Sequence, residues 1–403
     1  MKKTIFGILF SFLLQPLFAQ QADLIIQGGH VIDPKNKIDG ILDLAITKGK
    51  ISRVAKNINP NHAAKIIDAR GLYVVPGLID IHTHDFYGPD SARHFCYGTK
   101  SLLPDGFAFT SGVTTVVDAG SSGWRDFPVF KKQIIDSSKT RVLVFLNIVG
   151  AGMRGPDYEQ DTSDMDAKKT ATVARLYRKY IVGIKLAHYK GPGWKPVDEA
   201  IAAGRQAGIP VMIDFGEHDS PMPIRELFMD HMRPGDLFTH CFAELKGREP
   251  IVDPRSKKLK PFVWEARKKG IGFDVGYGAI SFSFSQAIPS VRAGFYPNTI
   301  STDKHATIKN KINDLPEIMS EFLATGMSLK EVITAVTWNP ARAIKHEELG
   351  NCSVGAIADI TIFSLNNSKA LFYDHSGYSI EGSGKFKTVV TIKNGETVYQ
   401  AGK

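Results

Sequence analysis

Apolar residues in the first part of the chain come in short, largely β-branched runs broken by turn residues. They are Leu24-Ile25-Ile26 before Gly28-Gly29, Val31-Ile32 before Asp33-Pro34, then Leu42 to Ile46, Lys50-Ile51 and Ile66-Ile67-Asp68. Runs of this length, bounded by glycine, proline and aspartate, predict a small antiparallel sheet. The same texture returns after about Glu347, at 358–363 and 388–395, so the two chain ends are expected to build one β-domain together. Between them, apolar runs of strand length alternate with helical patterns, which predicts parallel βα units. Such strands fall at 74–84, 115–119, 142–149, 182–187, 211–216, 237–242, 271–276 and 299–303. They make the eight that close a (β/α)8 barrel. The expected fold class is α/β: a (β/α)8 TIM barrel at 73–346 with a small β-sandwich domain built from 21–72 and 347–403. Residues 85–105 and 282–297 are the expected irregular loops over the barrel mouth.

Residues 1–20 stand apart from this pattern. Lys2 and Lys3 precede an apolar segment from Ile5 to Phe18, and Ala19 offers a small residue for cleavage. This reads as a secretory signal, too short for a membrane span, and predicts an exported protein, periplasmic or extracellular, without a membrane anchor. Composition adds that 403 residues at 43% apolar content suffice for a barrel plus a second domain. The formal net charge of +9 becomes +7 once the two leader lysines are removed, which suits an acidic substrate or an anionic surface. No basic run interleaved with aromatics is present, which argues against a nucleic-acid partner. Cys96, Cys241 and Cys352 are too few for a disulfide framework and allow at most one bridge. Whether the chain forms a homo-oligomer is left open.

The candidate chemistry sits at predicted strand ends. His82 and His84 close an apolar run one residue apart, and residues i and i+2 of a strand point the same way. They project together as two neutral imidazole ligands of one transition metal would. Lys185 lies in Gly183-Ile184-Lys185-Leu186-Ala187, where desolvating an ammonium is costly, so it needs an explanation, the plainest being an acidic neighbour. His240 ends the run from Leu237, Asp214 ends the run from Val211, and Asp303 closes Thr299-Ile300-Ser301-Thr302-Asp303. A lone histidine is more often structural and a lone strand-end aspartate is often a helix cap.

Pro76-Gly77-Leu78-Ile79-Asp80-Ile81-His82-Thr83-His84 resembles the first barrel strand of the amidohydrolase superfamily, the metal-dependent hydrolases that include dihydroorotases, D-aminoacylases and related deacetylases. The run from Gly112 to Gly123, Phe273-Asp274-Val275-Gly276, Ser301-Thr302-Asp303 and Asn339-Pro340-Ala341-Arg342 resemble the D-aminoacylase and dihydroorotase-like deacetylase branch, and the likeness covers essentially all of the chain after the leader. The resemblance implies one or two divalent ions, zinc by preference, held by His82, His84, Lys185, His240 and Asp303. It implies that Lys185 on the fourth strand is carbamylated and bridges the ions, and that Asp303 is the catalytic proton acceptor. Two positions depart from the pattern. Asp214 stands where the fifth strand normally ends in a histidine ligand; as a carboxylate it still suits a metal, and Glu217 and His218 follow it as substitutes from the loop. Tyr277 stands where relatives carry histidine between two glycines, and is expected to offer a phenolic hydroxyl to substrate.

Among the basic residues near the mouth, Arg154 and Arg292, with Lys190 and Lys304, are the candidates for binding a substrate carboxylate, although each reads first as a solvated surface charge. The resemblance and the residue chemistry together imply an exported metal-dependent hydrolase that cleaves a non-peptide amide, or an ester, of a small acylated acid. No Gly-x-Ser-x-Gly elbow competes. The alternatives are a weak or inactive barrel that binds a small ligand, which Asp214 keeps open, and a one-metal deaminase, in which Lys185 would have no role.

Overall fold

The computed structural model describes residues 22–88, 101–218, 222–306 and 314–402. The leader, Cys96 and most of the expected 85–105 loop lie outside the described residues. Strands β1 (Leu24–Asp33), β2 (Ile38–Thr47), β3 (Lys50–Ala55), β4 (Ile66–Asp68) and β5 (Tyr73–Pro76) come first. The barrel strands follow: β6 (Leu78–Thr83), β7 (Val113–Gly123), β8 (Arg141–Asn147), β9 (Ile181–Ala187), β10 (Val211–Asp214), β11 (Leu237–Phe238) and β12 (Gly272–Phe273). The chain ends with β13 (Ile360–Tyr373), β14 (Ser379–Lys393) and β15 (Glu396–Gln400).

The fold is a TIM barrel with a β-sandwich domain. Both chain ends enter one mixed sheet, in the order β15-β14-β13-β5-β1-β2-β3 with β4 beside β1. Its buried residues Leu24, Ile26, Leu44, Ile46, Val74, Ile360, Ile362 and Ile392 form a core of their own. The run 74–84, expected as one strand, is two. Val74 and Val75 pair antiparallel with Ile362 and Thr361 on β13, whereas Leu78 onward pairs parallel with β7. Gly77 is the pivot. Its N–H donates to the Asp359 carbonyl at 2.7 Å, and a Cβ there would lie 2.3 Å from Thr114 Oγ1, so only glycine lets the chain pass between the sheets.

The barrel strands run parallel in the order β12-β11-β10-β9-β8-β7-β6. Side chains alternate between two cores, as strand geometry requires. Ile79, Ile81, Val117, Leu143, Phe145 and Met212 belong to one cluster, and their neighbours Leu78, Val116, Val142, Val144 and Ile213 to the larger cluster with the helices. The eighth strand expected at 299–303 is present as a closing segment rather than a regular ladder. It bridges in parallel to β12's exit through Asp274 and Thr299, and to β6 through Thr83 and Lys304. On the β12 side the Val275, Tyr277 and Gly278 N–H groups donate to the Thr299, Ser301 and Thr302 carbonyls at 3.0 Å each, and buried carboxylates add to these bonds. Asp80 accepts from the Thr302 N–H at 3.1 Å and hydroxyl at 2.6 Å, and Asp274 accepts from the Thr299 hydroxyl at 2.6 Å and the Ser301 hydroxyl at 2.8 Å.

Residues 282–297 are largely helical, not an irregular loop. The Ser283 hydroxyl caps the helix Phe284–Arg292 by accepting from the Ser285 N–H, and Phe284, Ile288 and Val291 bury one face at helical spacing. The helix carries Pro289 in its interior, a residue that ordinarily interrupts one. Cys241 and Cys352 are buried free thiols. Among the described residues, no helix is long and apolar enough to cross a membrane.

Candidate metal centre

The structure brings six of the predicted residues together where the barrel strands end. His82 and His84 leave β6 buried, at 0% and 2% exposure. Each imidazole that points into the centre has its Nδ1 engaged behind it: His82 by the Thr239 hydroxyl at 3.0 Å, His84 by the Ser121 hydroxyl at 3.3 Å, and His240 by the Gly276 carbonyl at 2.5 Å. With Nδ1 pinned in this way, Nε2 is the atom turned inward. His82 Nε2 lies 3.6 Å and His84 Nε2 3.0 Å from Asp303 Oδ1, and His240 Nε2 lies 3.3 Å from Asp214 Oδ1. Ligating atoms of His82, His240 and Asp303 all fall within 4.8 Å of one another.

Lys185 is fully buried on β9 between Asn147 of β8 and Met212 of β10. Its Nζ lies 3.0 Å from Asp214 Oδ2 and 3.1 Å from His82 Nε2. Gly120 makes room for it: with φ of 92°, a Cβ at that position would lie 2.6 Å from Lys185 Cγ.

Charge states follow from this arrangement. Burial, reinforced by the Lys185 charge, pushes His82 down to about 4, so its imidazole is neutral near pH 7. Burial would raise the Asp303 carboxyl, but the imidazoles of His82, His84 and His305 hold it well below the usual range. Asp214 is treated alike: burial opposes ionisation, and His240, Lys185 and His188 overcome it. The centre therefore offers a neutral imidazole at His82 and ionised carboxylates at Asp214 and Asp303.

This donor set fits a divalent metal. Two atoms bound to one tetrahedral zinc at about 2.0–2.2 Å lie roughly 3.3–3.6 Å apart, the range around which the observed separations cluster. Asp214 Oδ1 is a buried atom with no hydrogen-bond partner among the described residues, as an oxygen set to ligate would be.

The remaining expected residues fall elsewhere. A cavity of about 380 Å³ opens onto the centre, lined among others by His84, His240 and Asp303. Tyr277 is not among its lining residues. Its ring stacks on Phe282 with centroids 4.6 Å apart, and its hydroxyl pairs with Glu321. Arg154 lies half-buried over the Tyr158 ring, and Arg292 is exposed in the last turn of its helix; neither reaches the cavity. Lys304 pairs with Asp314 at 2.7 Å. Glu217 is exposed on the cavity wall with Lys190, whereas buried His218 packs edge-on against Phe215.

Sequence reasoning missed His188, Glu159, Gln160 and His305, all of which line the cavity. The signal for two of them was proximity: His188 follows Lys185 by three residues and His305 follows Asp303 by two. Glu159 ends the short helix Pro156–Glu159 and carries no motif. His188, His240 and Asp303 share one backbone feature, left-handed φ values of 51°, 52° and 52°. Non-glycine residues rarely adopt this conformation, and they do so disproportionately at functional sites.

A (β/α)8 barrel with imidazoles, a lysine and carboxylates gathered at the C-terminal ends of its strands is the architecture of a barrel hydrolase. The comparisons agree with this class. The amidohydrolase family's sequence model matches residues 284–398. A deacetylase of Brucella anthropi is 33% identical over 350 residues, covering 84% of this chain and 83% of its own. A deacetylase of Enterococcus faecalis is 30% identical, covering 93% and 98%. Among solved structures, an adenine deaminase superposes with a TM-score of 0.83 at 29% identity, covering 94% of this chain and all of its own, and a dihydroorotase with 0.81 at 28%, covering 94% and 99%. The chain belongs to the amidohydrolase family and is a hydrolase acting on carbon–nitrogen bonds.

Proposed function

We propose that the protein is a metal-dependent hydrolase that removes the acyl group from a small N-acylated acid by cleaving its amide bond. The observation that carries this reading is the convergence of three Nε2 atoms and two ionised carboxylates in one buried cluster, of which His84, His240 and Asp303 line the cavity. His82, His84, His240, Asp214 and Asp303 would hold one or two divalent ions, zinc by preference. Lys185 would join them as a carbamate formed with carbon dioxide, since a bare ammonium 3.1 Å from His82 Nε2 opposes a cation there. Such ions supply Lewis acidity, polarising the scissile carbonyl and making water acidic enough to attack near neutral pH.

Asp303 does the proton work. Its Oδ1 faces His82 and His84, and its Oδ2 lies 4.0 Å from His305, which lines the cavity. Being ionised, it accepts a proton from the water that attacks the carbonyl carbon. As the carbon–nitrogen bond breaks, it returns that proton to the leaving nitrogen. The acyl group leaves as a carboxylic acid. The deacetylase relatives, the basic net charge and Lys190 on the cavity wall support an acylated acid as substrate. The basic and apolar leader supports export with cleavage near Gln20, which an intact mass of the exported form checks.

The test is acyl release from a panel of N-acetylated amino acids and matched esters by the zinc-loaded protein. Amide hydrolysis lost in Asp303→Asn supports the assignment. Tight binding of these compounds without turnover contradicts it and favours an inactive ligand-binding barrel.

A further inference from the structure

We propose that His188 is a ligand of the metal centre, bringing to the exit of β10, from the exit of β9, an imidazole that works beside Asp214, with Glu159 as its positioning residue. This rests on the centre being a metal site, as argued above.

Distance is the first argument. His188 Nε2 lies 3.7 Å from Asp214 Oδ2. That is too long for a hydrogen bond but close to the separation of two ligands on one ion, as is the 3.3 Å from His240 Nε2 to the other oxygen of the same carboxylate. Asp214 thus has an imidazole nitrogen near each oxygen, and its own Oδ1 makes no hydrogen bond among the described residues.

The second argument is how His188 is held. Its Nδ1 is 2.9 Å from Glu159 Oε2, so the ring is backed by a carboxylate just as His82, His84 and His240 are backed by hydroxyls or a carbonyl. A carboxylate behind a histidine fixes its tautomer and raises its basicity as a ligand. Glu159 is itself 2% exposed, and its Oε1 is buried without a hydrogen-bond partner among the described residues. Burying a carboxylate so incompletely satisfied is costly unless a positive charge lies on or beyond the ring it contacts. An ion on Nε2 would supply that charge.

The third argument is the backbone. The His188 N–H donates to the Asp214 carbonyl at 3.0 Å, and its own carbonyl accepts from Gln160 Nε2 at 2.8 Å. These two bonds hold φ at 51°, the conformation also found at His240 and Asp303. Left-handed backbone at a histidine persists only where its surroundings impose it. Here the two bonds keep the ring turned toward Asp214.

The experiment loads the full chain with zinc and measures metal content and affinity by chelator competition, then repeats the measurement with cobalt, whose visible spectrum reports the ligand set. His188→Ala is expected to weaken binding more than about 100-fold and to change the cobalt spectrum. Glu159→Gln, which removes only an outer partner, should weaken it by about 10–100-fold, with partial recovery in Glu159→Asp. His188→Ala combined with Asp214→His, which moves the imidazole to β10, should regain affinity. If His188→Ala alone fails to fold, the double variant and Glu159→Gln carry the test. Unchanged affinity and spectrum in His188→Ala, or in both Glu159→Gln and the double variant relative to their parents, overturn the inference whatever happens to turnover. An unaltered protein that binds neither ion overturns the metal-site reading itself, and this inference with it.

Discussion

Gly120→Ala tests how the fold accommodates Lys185. The glycine sits on β7 at φ 92°, and an added Cβ would lie 2.6 Å from Lys185 Cγ and 2.8 Å from its Cβ. Two costs add. Left-handed backbone at a residue with a side chain costs about 1–2 kcal/mol. Forcing a methyl into a filled interior costs about 1–3 kcal/mol. The expected destabilisation is therefore about 2–5 kcal/mol, a large fraction of the roughly 5–15 kcal/mol that holds a typical protein folded. Gly193→Ala is the control, because Gly193 also has positive φ, 78°, but nothing lies within 4 Å of its added Cβ. It should show only the backbone part. Urea denaturation of both variants reads the difference, and zinc competition reads whether displacing Lys185 also disturbs the centre. Gly120→Ala should lose stability beyond Gly193→Ala and bind zinc more weakly. If the two variants unfold at the same denaturant concentration, the contact between β7 and Lys185 is not the constraint described.

Other outcomes follow from the same geometry. Lys185→Ala should lose metal and turnover together, with partial rescue by small carboxylic acids that occupy the vacated volume; full activity without rescue would remove the carbamate role. Asp303→Asn should keep the fold while kcat drops by about 10²–10⁴-fold, and a loss below tenfold would assign the proton transfer elsewhere. Burial raises Asp80 to about 7. A raised carboxyl contributes stability that is full below its unfolded pKa near 4 and is lost as pH rises through 7. Asp80→Asn should flatten this fall in the unfolding midpoint between pH 4 and 7, and parallel profiles would count against it. Asp214→His should keep or raise the metal count and move the ascending limb of the rate profile to lower pH, and no change in either would place residue 214 outside the centre.

Much of this site was legible in the sequence because strand geometry is simple. An i, i+2 pair at the end of an apolar run fixes His82 and His84 on one face, and a polar atom inside a buried run, as at Lys185 and Asp214, marks itself. Legibility failed where the chain turns. The first strand read as continuous because Val74-Val75 and Leu78-Ile79 are equally apolar, and only the close approach of Thr114 shows why Gly77 divides them between two sheets. Tyr277 between two glycines reads as a hydroxyl offered to substrate, but the stack on Phe282 and the partner Glu321 come from residues 5 and 44 positions further on. His188 is not legible because alternation says nothing about a side chain beyond the last strand residue, where its direction depends on a left-handed turn and on Glu159 at the end of the short helix Pro156–Glu159.

The most direct test of the account is metal content against turnover in one preparation. The account predicts at least one divalent ion per chain, amide hydrolysis that disappears when a chelator removes it and returns with zinc, and loss of both ion and hydrolysis in His82→Ala. A purified protein that hydrolyses amides equally well after complete metal removal would contradict it.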